Sequence, residues 1–236
     1  MHAKATVAEE EYLQSIFWLT EAGLPVTGAN IARAMQLSAP TVHEMVARLA
    51  ADGYVERQPD KSWVFTKNGL EHAEQIVSRH RLIERFLTDV LDIPWDDVHE
   101  QAELMEHAMS PMMEEKMRAA IGDAKTCPHG HPINPADRLP GVPLADCEVG
   151  AKVWILRFEN EAEDLLHYFK DAGVEPGQRG EIVISDAESV TYRSDAGEHT
   201  LTRSASETIS VQADPSPPPR TALPEQLVLA ERRYGK

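Results

Sequence analysis

LSAPTVHEMVARLAADGYV, residues 37–55, is the stretch on which the reading of the chain turns. Ser38 is a cap and Pro40 stands in the first helical turn, where its missing N–H costs nothing. Val42, Met45, Val46 and Leu49 recur at helical spacing as a buried stripe, and Gly53 closes the helix. Upstream, Thr27 can cap a short helix with Ile31, Ala32 and Met35 inward, joined to the next by Gln36-Leu37-Ser38. Downstream the period becomes strand-like: Tyr54-Val55-Glu56-Arg57, a polar turn through Pro59-Asp60-Lys61, then Trp63-Val64-Phe65. Two short helices, a tight turn and a β-hairpin spell a winged helix-turn-helix. With the stripe inward, Thr41, His43, Glu44 and Arg48 face outward, toward a DNA major groove. Ser38 and Pro40 stand at the helix N-terminus, where backbone N–H groups meet phosphate, and Lys61 at the hairpin tip reaches a neighbouring phosphate or minor groove. Glu44 can accept from a cytosine amino group but repels phosphate.

Before this motif, residues 8–22 read as a helix with Tyr12, Leu13, Ile16, Phe17 and Thr20 on one face, stopped by Gly23 and Pro25. After it, Thr66 precedes a long helix over about 67–91, with Leu70, Ile76, Val77, Ile83, Phe86, Leu87 and Val90 as apolar positions. Pro94 starts another, reaching about Met109, and Ser110-Pro111 caps a third. Met112, Met113, Met117 and Ile121 on that third helix suit either a core or a subunit interface. Residues 124–147 are rich in Pro and Gly, a candidate linker. Beyond it come short strands around Val153–Leu156, Glu181–Ile184, Val190–Tyr192, His199–Leu201 and Thr208–Val211, with a helix near 161–172. That pattern suggests a small β-barrel. Pro215 to Pro219 open a tail, with a possible terminal helix over Leu223–Leu229.

Composition narrows the function. A chain of 236 residues with 42% hydrophobic and 26% charged residues is globular. Its formal charge of −16 excludes a generic polyanion binder, so DNA binding needs a locally favourable surface or a bound cation. The segment from Thr27 to Lys67 supplies one, with five basic against four acidic residues. Two cysteines, Cys127 and Cys147, exclude a disulfide framework and point to a reducing cytoplasm. Glu9, Glu10 and Glu11 exclude a secretion signal at the start, and no apolar run approaches ~18 residues, so no membrane partner is expected.

Residues 80–107 carry the chemistry. On a helix turning about 100° per residue, with His99 at zero, Glu103, Glu106 and His107 fall at roughly 40°, −20° and 80°. Val98, Ala102, Met105 and Met109 border this arc, so it abuts the buried face. His80 and Glu84 share a face of the preceding helix. Mixed carboxylates and imidazoles suit Mn, Fe, Co, Ni or Zn better than Ca or Mg; the bland alternative is a solvated acidic face. Cys127-Pro128-His129-Gly130-His131 matches no standard structural zinc spacing, and one member reaching back to the helical site is the better reading. Three functions compete: a metal-activated DNA-binding regulator, a metalloenzyme, and a metal buffer. No nucleophile, general base or small-molecule substrate pocket can be named, which counts against the enzyme.

EYLQSIFWL (11–19), the 37–55 segment, HRLIERFLTDVL (80–91) and VHEQAELMEHAMS (98–110) together resemble the diphtheria toxin repressor family of metal-dependent transcriptional regulators, in its manganese-responsive three-domain branch. The resemblance implies a mainly α fold with a small β part: a winged helix-turn-helix over 1–75, a helical metal-binding and dimerisation domain over 76–143, an SH3-like (FeoA-like) domain over 148–212, and a Pro-rich tail over 213–236. It implies a homodimeric repressor of palindromic double-stranded operator DNA, controlling manganese homeostasis; an iron-dependent repressor is the alternative. The family's ancillary metal site falls on His80, Glu84 and His99, closed by barrel residues such as Glu161 and Asp164. Its primary site falls on Glu11, Glu103, Glu106 and His107, with Cys127 joining it. Iron-responsive members carry Met and Cys where this chain has Glu11 and Glu103. Hard oxygen ligands favour Mn(II), about two per chain, while the Cys127 thiolate leaves Fe(II), Co(II) or Zn(II) binding open in vitro.

Overall fold

The computed structural model describes residues 5–217; the Leu223–Leu229 stretch and the tail beyond residue 217 lie outside the described residues. α1 (Val7–Glu21) starts at a capping box in which Thr6 and Glu9 bond each other's backbone. Thr27 and Ser38 cap α2 (Gly28–Ala34) and α3 (Ala39–Ala51) as their spacing predicts, and β1 (Val55–Arg57) pairs antiparallel with β2 (Trp63–Phe65). Leu13, Ile16, Ile31, Val42, Val46 and Leu49 form one core, leaving Thr41, His43, Glu44 and Arg48 exposed.

α4 (Lys67–Leu91), capped by Thr66, joins two cores because its apolar stripe runs its whole length. Ala73, Ile76 and Val77 pack into the winged helix. Leu82, Ile83 and Leu87 pack against Val98 and Ala102 of α5 (Val98–Glu106) and Met117 of α6 (Pro111–Ala120). α5 is shorter than its sequence predicts. Pro94–Asp97 forms a turn, and the Asp96 and Asp97 carboxylates face Lys170 and His167 of the C-terminal part. On α6, Met117 and Ile121 are core, whereas Met112 and Met113 are 66% and 45% exposed.

Residues 124–147 are not a loose linker: residues 127–133 are buried without a break. Gly130 (φ 90°) makes this possible, since a Cβ there would lie 2.0 Å from the Leu156 carbonyl oxygen. The C-terminal sheet has the order β3 (Val142–Pro143), β8 (Ile209–Asp214), β4 (Lys152–Phe158), β5 (Arg179–Ser185), β6 (Ser189–Ser194), β7 (Gly197–Thr202). α7 (Glu163–Asp171) seals its core through Leu166 and Phe169. The fold is mainly α with an SH3-like sheet domain, and among the described residues no helix is long and apolar enough to cross a membrane.

Candidate metal centre

Helix α1 lays one side chain per turn against α4 and α5. Glu10 Oε2 lies 2.8 Å from His107 Nδ1, the Gln14 amide donates to Glu106 Oε2 (3.1 Å), and the Trp18 ring sits 5.8 Å from that of His80 and 5.9 Å from that of His99. At the last turn Glu21 pairs with Arg81 (2.6 Å). Spacings of three and four residues produce this stripe, because they return to one helix face.

Beneath Trp18 the ligand types converge. His80 Nε2 lies 3.0 Å from Glu84 Oε1 and 3.1 Å from His99 Nδ1, and His99 Nδ1 lies 3.0 Å from Glu84 Oε1. Glu161, in the stretch between β4 and α7, approaches His99 Nδ1 (3.6 Å) and His129 Nδ1 (3.7 Å). His80, Glu84 and His99 bring ligand atoms within 4.8 Å of one another, and so do Glu84, Cys127 and His129. Cys127 therefore stands with Glu84 and His129, not in the Glu11–Glu103–Glu106–His107 group to which resemblance assigned it. The buried turn at Gly130 swings it there. Asp164 is exposed in the first turn of α7, where it lines a cavity of about 250 Å³ with Asp96, Glu100 and Glu161, and belongs to neither ligand group.

Glu84 Oε2 and His129 Nδ1 are buried and lack hydrogen-bond partners. The His129 ring is oriented by its Nε2, 2.7 Å from the Trp95 carbonyl oxygen, so Nδ1 faces Glu84 and Cys127. A carbonyl on one imidazole nitrogen commits the other to ligation. Unmatched carboxylate and imidazole atoms beside a buried thiol are a donor set that fits a divalent transition cation. Protons hold the cluster meanwhile. Burial opposes the His80 charge, but Glu84 and Glu106 outweigh it and raise its pKa to about 10. Burial likewise opposes the His129 charge, and Glu84 raises its pKa well above the usual imidazole range. Burial pushes the Cys127 thiol to about 11.

The second group is half-buried. His107 Nε2 lies 3.3 Å from Glu106 Oε1. Burial, with the charges of Glu103 and Glu106, holds the Glu11 carboxyl above its usual range despite His107. Glu10, whose carboxylate meets both His107 and His72, is lowered to about 2 against the cost of its burial. Sequence reading missed Glu10, Gln14, Trp18 and Glu21, and named His129 only within the Cys127–His131 cluster. For His129 the signal was present in the Cys-x-His spacing. For the helix residues only the 10–14–18–21 period could have shown it.

Family models match all three parts: the iron dependent repressor N-terminal DNA binding domain over residues 4–62, the iron dependent repressor metal binding and dimerisation domain over 66–135, and the FeoA domain over 142–213. The chain is 37% identical over 135 residues to the diphtheria toxin repressor of Corynebacterium jeikeium (strain K411), covering 57% of this chain and 56% of that protein. It is 32% identical over 198 residues to the iron-dependent repressor IdeR of Mycobacterium tuberculosis (strain ATCC 25618 / H37Rv), covering 77% of this chain and 86% of that one. The chain belongs to the diphtheria toxin repressor family. A solved manganese-dependent transcriptional repressor in complex with manganese superposes with a TM-score of 0.79 at 29% identity, covering 86% of this chain and 98% of that one. As a member of this family the chain is a metal-dependent transcriptional repressor and not an enzyme, with DNA and a second copy of itself as partners.

Proposed function

We propose that this repressor is activated by manganese(II), holds two cations per chain, binds palindromic operator DNA as a homodimer and controls manganese homeostasis. One observation carries the metal dependence: two buried ligand atoms, Glu84 Oε2 and His129 Nδ1, lack hydrogen-bond partners beside the Cys127 thiol. Each such atom costs about 1–3 kcal/mol if it stays unmatched, so ligation is where the folded chain gains. Glu84, Cys127, His129 and Glu161, with His99, form one ligand group. Glu11, Glu103, Glu106 and His107 form the other, and His80, a ligand of the first, touches it through Glu106. A bound divalent cation would supply the positive charge that neutralises these carboxylates and the bonds that join α1, α5 and the C-terminal domain.

The residues then act through α1. Glu10, Glu11, Gln14 and Trp18 belong to the DNA-binding head, whereas their partners belong to α4 and α5, so drawing the two sets together restricts the head's orientation. In a dimer this fixes two α3 helices at the spacing of two half-sites. Exposed Leu104, Met112 and Met113 provide an apolar face for the second copy. On each head Thr41, His43 and Glu44 read base edges, while Ser38, Pro40, Arg48 and Lys61 meet phosphate.

Carboxylates at positions 11 and 103 favour Mn(II), the ion that gains least from sulfur. An iron(II)-dependent repressor is the second reading, favoured by the Cys127 thiol in the buried group and by curated relatives named iron-dependent. Fe(II), Co(II) and Zn(II) are expected to bind in vitro on the same ground. Operator binding titrated with each ion in turn tests the choice: activation by Mn(II) at lower free concentration than the cell maintains for Fe(II) supports manganese, and the reverse order supports iron.

A further inference from the structure

Three consecutive carboxylates at the start of α1 go to three different places, because a helix turns about 100° per residue. Glu10 meets His107 and Glu11 faces the acidic pocket of α5. Glu9 turns the other way: its Oε1 lies 2.8 Å from Arg48 Nε on the recognition helix α3. Its Oε2 accepts from the Thr6 backbone N–H (2.7 Å) and from the Thr6 hydroxyl (2.8 Å). Both oxygens are committed, and the Glu9 side chain is 5% exposed against 55% for Arg48. The carboxylate is therefore a fixed post and the guanidinium a mobile group tethered to it.

We propose that Glu9 is a positioning residue for operator binding: it holds Arg48 by Nε so that the Nη edge is presented to the DNA backbone, and it ties the recognition helix to the helix that carries Glu10 and Glu11. A guanidinium has five N–H donors in one plane, so capturing Nε orients the other four without using them. Arg48 stands in the last turn of α3 on its exposed face, where a free side chain would spread over many rotamers. Asp52 Oδ2, 4.0 Å from the same Nε, flanks that end of the guanidinium. Since Glu9, Glu10 and Glu11 are rigidly adjacent, any restriction of α1 at α5 also restricts Arg48. This rests on α3 as the DNA-reading helix.

The test uses the full-length Mn(II)-loaded protein and a duplex enriched by wild type from a randomised pool, with affinity measured over a range of salt. Arg48→Ala is expected to weaken binding and reduce the salt slope by about 1. Glu9→Gln is expected to weaken binding about tenfold in the wild-type background and to add nothing in the Arg48→Ala background. Glu9→Gln is expected to leave Mn(II) affinity, measured by titration calorimetry, unchanged. Arg48→Lys, which keeps the charge but cannot offer Nε and Nη together, falls with Arg48→Ala; this variant decides the matter if Glu9→Gln does not fold. Unchanged or tighter DNA binding by Glu9→Gln, an equal loss in both backgrounds, or full affinity in Arg48→Lys overturns the proposal. Failure of the underlying docking looks different: Arg48→Ala and Lys61→Ala then leave both affinity and salt slope at wild type.

Discussion

His80 Nδ1 lies 2.7 Å from Glu106 Oε2, and this contact, with His99 Nε2 3.3 Å from Glu103 Oε1, makes the two ligand groups a single electrostatic unit. The other ring nitrogen of His80 faces Glu84 in the buried group. Both carboxylates are buried, and the protonated imidazole between them is what keeps two negative charges apart in a region that excludes water. Cation binding at either group must reorganise the same ring.

The two groups should therefore respond together to His80→Gln. Affinity for Mn(II) is expected to fall about 10–100-fold at both, as when an orienting or ligating imidazole is lost. Glu103→Ala, which removes a carboxylate of the half-buried group and the partner of His99 Nε2, should weaken the half-buried group more than the buried one. Calorimetric titration, with Mn(II) electron paramagnetic resonance to count occupied sites, distinguishes them; one class of site unaffected by His80→Gln would show that the groups are independent.

Metal binding should strengthen as pH rises. His80 at about 10, His129 well above the usual imidazole value and Cys127 at about 11 all retain protons at neutrality, and each must lose one to ligate. The proton competes with the cation, so acidification weakens binding and alkalinity favours it across about pH 6 to 8. Calorimetry in buffers of different ionisation enthalpy should register net proton release, and a pH-independent affinity would contradict the assignment of these ligands.

Glu161 and Asp164 are expected to part company. Glu161 is buried within reach of His99, His129 and His131, whereas Asp164 is exposed on the cavity rim. Glu161→Ala should cost the buried group its tight occupancy, and Asp164→Ala should leave metal content and operator binding as in wild type. Equal losses in the two variants would make the acidic rim, not the Glu161 carboxylate, the relevant feature.

Most of the architecture was legible because it rests on local rules. Thr27, Ser38 and Thr66 cap the helices that their spacing marks, and the Val42–Leu49 stripe leaves Thr41, His43, Glu44 and Arg48 outside. The same periodicity placed His99, Glu103, Glu106 and His107 on one arc. What escaped depends on contacts between distant segments. Local pattern cannot show that Asp96 and Asp97 are drawn out of α5 by Lys170 and His167. Nor can it show that a Pro- and Gly-rich stretch is buried against β4, which moves Cys127 beside Glu84. Resemblance assigned Cys127 to the Glu11 group, whereas the fold sets it beside Glu84 and His129. Arg48 was read as outward, which holds, but its tether to Glu9 needed the crossing of α1 and α3.

Glu21→Ala should destabilise the metal-free protein. Glu21 ends α1 and meets Arg81 of α4, His131 of the buried stretch and Arg138, half-buried just before the sheet domain. Arg81 is 3% exposed and would be left as a buried charge without its closest carboxylate. Removing one member of such a pair costs about 3–5 kcal/mol. Denaturant unfolding monitored by Trp fluorescence should show a lower midpoint with little change in slope, and a loss below about 1 kcal/mol would place the pair among weak surface contacts.

Selectivity should follow the half-buried group. Glu11 comes from the DNA-binding head, and Glu103 and Glu106 from α5; burial and these like charges raise the Glu11 pKa, so three crowded carboxylates await a hard cation. Replacing Glu11 by Met and Glu103 by Cys keeps two donors and substitutes sulfur for oxygen. Sulfur suits Fe(II), Co(II) and Ni(II) better than Mn(II), so the double variant should need more Mn(II) for operator binding and less of the softer ions. Glu11→Ala separates binding from switching. It should leave metal at the groups on α4 and α5 yet uncouple it from DNA, because a ligand shifts an equilibrium only through contacts that differ between the states. By linkage, DNA should also stop tightening metal binding in that variant. Operator binding titrated with each metal, for wild type and both variants, reads all of this. Full Mn(II)-dependent binding by Glu11→Ala would remove α1 from the switch, and an unchanged metal ranking in the double variant would move the source of selectivity to Cys127 and the buried group.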